Sequence, residues 1–192
     1  DIKIIPKNFS FEEAAGFSVA AQTAYVSLVE RAKISKGQTL LVLGASGGVG
    51  LAAIQLAKAF GVIVIAVCSS KKKQEAAIKA GALYALGYNN MVEEIKEVTK
   101  QEGVDIIYDP IGGKYFLKAL KTIKWGGKIL IVGFASGSIP SLPINIALIK
   151  GISVLGVRAG EYFRKYPSLK KPAIEKLLNI ANKGLITPII YD

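Results

Sequence analysis

Residues 41–50 read LVLGASGGVG, a run of aliphatic side chains that gives way to four glycines within seven positions. The aliphatic half belongs to TLLVL (39–43), an unbroken apolar run of the kind found in strands covered on both faces. The segment that follows, VGLAAIQLAKAF (49–60), is apolar almost all round and leaves only Gln55 and Lys58 for water. It predicts a helix packed tightly on a sheet. The glycines therefore stand where a buried strand hands over to a helix. There the first helical amides have no internal acceptor and the helix dipole favours negative charge, so bare backbone suits a diphosphate. Set against Gly-x-Gly-x-x-Gly, the stretch places Ala45 in the first slot, followed by Ser46, Gly47, Gly48, Val49 and Gly50. Gly47 would let the main chain approach a phosphate, and Gly50 would let the helix close on the strand. A merely glycine-rich tight turn is the bland rival, and its position between strand and helix counts against it.

Outward from this point, strands and helices alternate. VIVIAV (62–67), ALYAL (82–86), DIIY (105–108), KILIV (128–132) and ISVLGV (152–157) join 39–43 as short aliphatic runs, most of them without polar alternation. Met91, Ile95 and Val98 follow a helical period, as do Phe116, Ala119, Leu120 and Ile123, and then Ile174, Leu177, Leu178 and Ala181. Ahead of the first strand, Ser10 and Glu13 have capping-box spacing and open a short helix around FEEAA; a second helix is expected from Val19 to Arg31. The fold class this predicts is α/β: a Rossmann-type, doubly wound, six-stranded parallel sheet with helices on both faces.

Composition narrows the chemistry. Hydrophobic residues make up 51% and charged residues 20% of the 192 residues, enough for a substantial core. No apolar run approaches the roughly 20 residues of a membrane helix. With Cys68 the single cysteine and no histidine, a disulfide framework is impossible and no metal site is expected. A reducing, cytoplasmic setting follows. Cys68, at the end of a strand, reads as a small packing residue. The chain opens at Asp1 and its one methionine is Met91, which reads as an excised domain or a processed fragment.

The second strand decides between dinucleotides. An NAD site usually ends that strand with a carboxylate for the ribose 2′-hydroxyl. Here the chain reads AVCSSKKK, with Ser69 and Ser70 in the place of the acid and Lys71, Lys72 and Lys73 beside them. A carboxylate about 4 Å from a 2′-phosphate would cost on the order of 4 kcal/mol at an effective dielectric of ~20. Its absence favours NADPH.

Several segments together resemble the zinc-independent quinone oxidoreductases of the medium-chain dehydrogenase/reductase superfamily: EEAAGFSVAAQTAYVSLVERAKISKGQTLLVLGASGGVGLAAIQLAKAFG, VDIIYDPIGG, WGGKILIVGFASGSIPSLPINIALIKGISVLGV, and the spacing from Lys73 to Gly81-Ala82. The resemblance covers nearly the whole chain. It implies that residues 1–192 are an NADP-binding Rossmann domain, with the GroES-like catalytic domain absent from this chain, and that NADPH supplies a hydride to a quinone or an activated alkene without a metal. An enoyl-thioester or alkenal reductase is the alternative on the same scaffold. The resemblance also assigns roles. Thr23 lines the nicotinamide side of the cleft. Ser46, Gly47, Gly48 and Val49 form the diphosphate loop. Ser69 or Ser70, Lys73 and Tyr88 surround the 2′-phosphate, with Asn89 standing where an Arg or Lys usually follows that tyrosine. Gly133, Phe134 and Ala135 pass over the nicotinamide ribose. Asp109, ending a strand before a helix, reads as a cap rather than a catalytic acid.

Two partner readings remain. Strand 152–157 should lie at a sheet edge, and the resemblance implies a homodimer through it. The formal charge of +11 raises nucleic-acid binding as a reading of another class. Lys114, Lys118 and Lys121 fall on one helical face with Lys124 and Lys128 beyond. They sit opposite Phe116, Ala119, Leu120 and Ile123, as the wet side of an amphipathic helix would, and a solvated helix face is the simpler account.

Overall fold

Two patterns in the strands build the molecule. Along β1 (Thr39–Leu43), Leu40 and Val42 enter one hydrophobic core while Leu41 and Leu43 enter another, the two-residue period of a strand covered on both sides. The same holds for β2 (Ile63–Val67) and β4 (Val104–Asp109). With β3 (Tyr84–Leu86), β5 (Ile123–Ile131) and β6 (Ser153–Gly156) they form a six-stranded, all-parallel sheet in the order β3-β2-β1-β4-β5-β6. This is the Rossmann-type α/β architecture that the alternation predicts. The computed structural model describes residues 5–191.

On one face lie α1 (Phe11–Tyr25) with a π-helical segment (Val26–Arg31), then α2 (Gly48–Ala59), α3 (Lys71–Ala80), α7 (Ala159–Lys165) and α8 (Pro167–Asn182). On the other lie α4 (Met91–Val98), α5 (Gly113–Leu120) and α6 (Ile144–Lys150). The strand order reverses between β1 and β4, and the carboxyl ends of those two strands define the crevice where ligands of such sheets bind.

Local differences from the sequence reading have identifiable causes. The two N-terminal helices expected are one, opened by the Ser10–Glu13 capping box. Gly16 lies inside it at a close approach, where a Cβ would stand 3.1 Å from Ile190 Cδ1. Ile123 does not continue a helix but begins β5, which is longer than 128–132 and changes register between its pairing with Val104 and with Ile106. Gln55 is half-buried rather than free in water. Its side-chain amide clamps the C-terminal segment, donating to Thr187 O at 2.8 Å and accepting from Thr187 N–H at 3.2 Å. The segment 143–150, read as part of an exposed apolar run, carries α6. None of the described helices is long and apolar enough to cross a membrane.

Candidate nucleotide-binding site

The turn after β1 is held from behind and open in front. Gly44 N–H donates to the Tyr88 hydroxyl at 2.8 Å, Ala45 N–H to Val67 O at 3.2 Å, and Gly47 N–H to Gly44 O at 3.0 Å. α2 then starts at Gly48, with Gly47 as its N-cap and no side-chain cap. The first amides of this 12-residue helix thus point outward with the positive end of its dipole.

The glycines divide into two kinds. At Gly50 a Cβ would stand 2.7 Å from Gly44 O and 2.8 Å from Ala45 Cα, so helix and turn could not close with a side chain there. At Gly48 a Cβ would meet nothing within 4 Å. The protein's own packing gives no reason for glycine at 48; the space in front of it does.

A pocket beside this turn is lined by Ser46, Gly47, Ser70, Lys72, Lys73 and Tyr191. α3 places its members. Ser70 is the N-cap, its Oγ accepting from Lys73 N–H at 3.4 Å, and Lys73 Nζ donates to Ser69 Oγ at 3.1 Å. The structure therefore gathers Ser46, Gly47, Ser70 and Lys73 from the predicted set, with Ser69 bonded to Lys73, and adds two residues that the sequence reading missed. Lys72 was legible only as part of a lysine run, and Tyr191 arrives from 118 positions beyond Lys73 through the folding of the C-terminal segment, which no local signal announces. Val49 is half-buried and Gly48 exposed at the start of α2.

Tyr88 stands behind the turn. Its ring centroid lies 4.1 Å from that of Tyr115 and its hydroxyl accepts from Gly44 N–H; burial pushes its pKa up to about 12. Thr23 is half-buried on α1, its Oγ1 donating to Val19 O at 2.8 Å. Gly133, Phe134 and Ala135 lean on the turn after β4: Gly133 N–H donates to Asp109 O at 3.3 Å and Ala135 N–H to Pro110 O at 3.0 Å, with Phe134 exposed. Asp109 is buried, and its Oδ1 accepts from Ile111 N–H at 2.7 Å and Gly112 N–H at 2.8 Å. Burial raises its pKa and the two amides oppose that rise. It caps the turn ahead of α5, whose own N-cap is Gly112, rather than α5 itself. Cys68 is buried in the core at the end of β2, and burial raises its thiol pKa.

The lysine stripe is dispersed. Lys118 Nζ donates to Tyr88 O at 3.2 Å and Asn89 O at 3.3 Å. Lys124 pairs with Asp105 at 2.9 Å, and Lys128 Nζ donates to Ala32 O at 2.6 Å. Those three cations are engaged within the protein and form no phosphate track.

The zinc-binding dehydrogenase family model matches residues 48–177. A quinone oxidoreductase-like protein 2 homolog of Nematostella vectensis is 38% identical over 183 residues, covering 94% of this chain and 50% of that protein. The structure of Escherichia coli quinone oxidoreductase complexed with NADPH superposes with a TM-score of 0.87 at 28% identity, over 98% of this chain and 59% of that one. The CurK enoyl reductase structure gives a TM-score of 0.87 at 26% identity, over 99% and 57%. The chain spans about half the length of the curated relatives it matches. The family's name mentions zinc, but this chain has no histidine and one cysteine, and no three His, Cys, Asp or Glu among the described residues group to hold an ion. These residues do not fit a zinc site.

Proposed function

The chain belongs to the zinc-binding dehydrogenase family, and from that premise we propose that it binds NADPH as the coenzyme portion of an oxidoreductase that reduces a quinone or an activated alkene. The observation that carries the reading is the turn at Gly47–Val49: uncapped amides at a helix N-terminus, with a glycine that the surrounding protein does not require. The diphosphate would lie along Ser46, Gly47, Gly48 and Val49, taken by the main-chain amides that open α2 at Gly48 and Val49, since Gly47 N–H is held by Gly44 O. Ser69, Ser70, Lys72 and Lys73 would hold the 2′-phosphate, with charge-assisted bonds from the two ammonium groups. Thr23 and the 133–135 loop would flank the nicotinamide. The bound cofactor supplies the hydride; the protein orients it and keeps water away. NADPH in a quinone oxidoreductase of the same fold supports this assignment.

An enoyl-thioester reductase is the second reading, supported by a structural likeness to the CurK enoyl reductase equal to that found for the quinone oxidoreductase. In either case the substrate is a small molecule. The relatives' greater length supports reading these residues as one wall of a cleft completed by a further, GroES-like domain. The 192 residues alone should then bind NADPH and turn over quinone little. Exposed Val154 on the edge strand β6, with exposed Ile144, Leu148 and Ile149 on α6, supports a homodimer through that edge. A reducing, cytoplasmic setting suits the free thiol of Cys68.

Fluorescence titration with NADPH and NADH tests the cofactor assignment. NADPH should bind tighter, and Lys73→Ala should lower that preference by about tenfold, the loss of one charge-assisted contact of ~1.4 kcal/mol. Lys72→Ala should reproduce the effect. Equal affinity for both nucleotides, or indifference to both substitutions, rejects the 2′-phosphate site.

A further inference from the structure

α4, α5 and α6 lead into β4, β5 and β6, which are neighbours in a parallel sheet, so the carboxyl ends of the three helices gather at the amino ends of those strands. This is the end of the sheet opposite the nucleotide crevice. A cleft of about 520 Å³ opens among the three helix ends, within the ~300–1,000 Å³ usual for small-molecule sites. Its walls are aliphatic, with Leu117 and Leu120 from α5 and Ile146 and Ile149 from α6. Leu117 and Ile149 are both exposed, so apolar surface stands open there.

Three lysines border these walls: Lys96 from α4, Lys121 from the end of α5 and Lys150 from α6. Among the described residues no acid lines the cleft, and none of the three lysines forms an ion pair. A lysine near a helix C-terminus has an ordinary reason to be there, the negative end of the dipole. Lys96 stands in the last turn of α4, Lys121 is the C-cap of α5 and Lys150 ends α6. That reason does not exhaust the charge. Each helix end carries about half an elementary charge, so three ammonium groups sharing one cleft leave a surplus. Lys150 is also held in place. Its Nζ donates to Ile123 O at 2.8 Å and Leu120 O at 3.5 Å, and burial, followed by the Lys96 charge, lowers its pKa. The cleft thus joins an apolar wall to a cationic rim.

We propose that this cleft binds a single-chain aliphatic carboxylate of medium length, its hydrocarbon against Leu117, Leu120, Ile146 and Ile149 and its head group among the ammonium groups of Lys96, Lys121 and Lys150. The apolar walls favour a hydrocarbon. The lysines, point charges without the planar fork of arginine, favour a compact anion. Ile146, Ile149 and Lys150 share one face of α6, whereas Ile144 and Leu148, one turn apart, fall on the opposite face and are left for the dimer edge proposed above. The site lies away from the nicotinamide nucleotide and owes nothing to that assignment.

Isothermal titration calorimetry of the whole chain with sodium decanoate, kept below its micelle-forming concentration, should show one saturable site. Affinity should rise from hexanoate to octanoate to decanoate by roughly two- to fourfold per methylene. Decanol and decyltrimethylammonium should bind at least about tenfold more weakly than decanoate. Lys96→Gln and Lys121→Gln, both at exposed positions, should each weaken decanoate about threefold and together about tenfold. Leu117→Gln should flatten the dependence on chain length. These variants leave Lys150 and its carbonyl partners in place, so they should melt near the native temperature and bind NADPH as the native chain does. No saturable decanoate binding, equal affinity for decanol, or indifference to the paired lysine substitutions would overturn the proposal. Co-sedimentation with phosphatidylglycerol vesicles, lost in the same double variant, would assign the cleft to a membrane surface and overturn it as well.

Discussion

The turns after β1 and β4 are neighbours in the sheet, and both carry a strand into a helix through glycines. They differ in what their amides do. After β4, Ile111 and Gly112 N–H are taken by the Asp109 carboxylate, Gly113 N–H donates to Ser138 O at 3.0 Å, and a Cβ at Gly112 would stand 2.9 Å from the Phe134 ring. That turn is closed by its own acid and by the loop leaning on it. After β1, no acid takes the amides of the turn and Gly48 faces open space, although α2 and α5 alike have no side-chain cap. Glycine content therefore does not by itself mark a nucleotide site, and the proposal for the β1 turn rests on the open space at Gly48 and the amides that open α2.

The contrast breaks most easily at Gly48. Gly48→Asp brings a carboxylate into the space proposed for a diphosphate. At ~4 Å and an effective dielectric of ~20 that repulsion is about 4 kcal/mol, so NADPH affinity should fall by at least about 100-fold in a fluorescence titration. The melting temperature should hold, since a Cβ there meets nothing within 4 Å and an acid suits a helix N-terminus. Retained affinity would mean that the turn is only architecture. Asp109→Ala should do the reverse. It orphans two amides in a buried turn and should cost about 2 to 3 kcal/mol, a drop of roughly 6 °C in melting temperature, with NADPH affinity nearly kept. Asp109→Asn should cost less, because its Oδ1 still accepts. The two also separate by pH. Folding raises the Asp109 pKa, so the folded chain holds this proton better than the unfolded one. Its contribution is fully present below the unfolded value and disappears as pH rises through the folded one. The native chain should therefore show an acid-side gain in stability that Asp109→Asn lacks; identical pH profiles would contradict it.

What could be read in advance follows from the range of each physical cause. Buried parallel strands write themselves as uninterrupted aliphatic runs, so TLLVL and KILIV announce β1 and the end of β5. The cradle was legible for the same reason: strand, glycines and helix are contiguous. Gly16, inside α1, gives clearance for Ile190, a role set 174 residues away that the local sequence does not announce. Tyr191 in the pocket beside the β1 turn and Gln55 on Thr187 are likewise products of tertiary contact. The lysines of 114–128 show the opposite failure: a periodic charge pattern suggested a surface, and three of its members are bonded to carbonyls or an acid of the same chain.

Tyr88 supplies the smallest and sharpest test. It serves the β1 turn as Asp109 serves the β4 turn, with a side-chain oxygen that accepts from the main chain, but it takes one amide where Asp109 takes two, and it is half-buried where Asp109 is buried. Tyr88→Phe keeps the ring against Tyr115 and removes only that acceptor. Stability should fall by about 1 kcal/mol, or ~3 °C in melting temperature. NADPH affinity should drop by no more than about threefold, because Gly44 N–H lies behind the turn and the amides at its front are untouched. Affinity of the native chain should also be flat between pH 6 and 9 as far as Tyr88 is concerned, its proton being held up to about 12. A tenfold or greater loss of NADPH affinity in Tyr88→Phe, with NADH affinity spared, would place the phenol on the 2′-phosphate after all. The division between a turn braced from behind and a pocket opened in front would then have to be redrawn with Tyr88 on its ligand side.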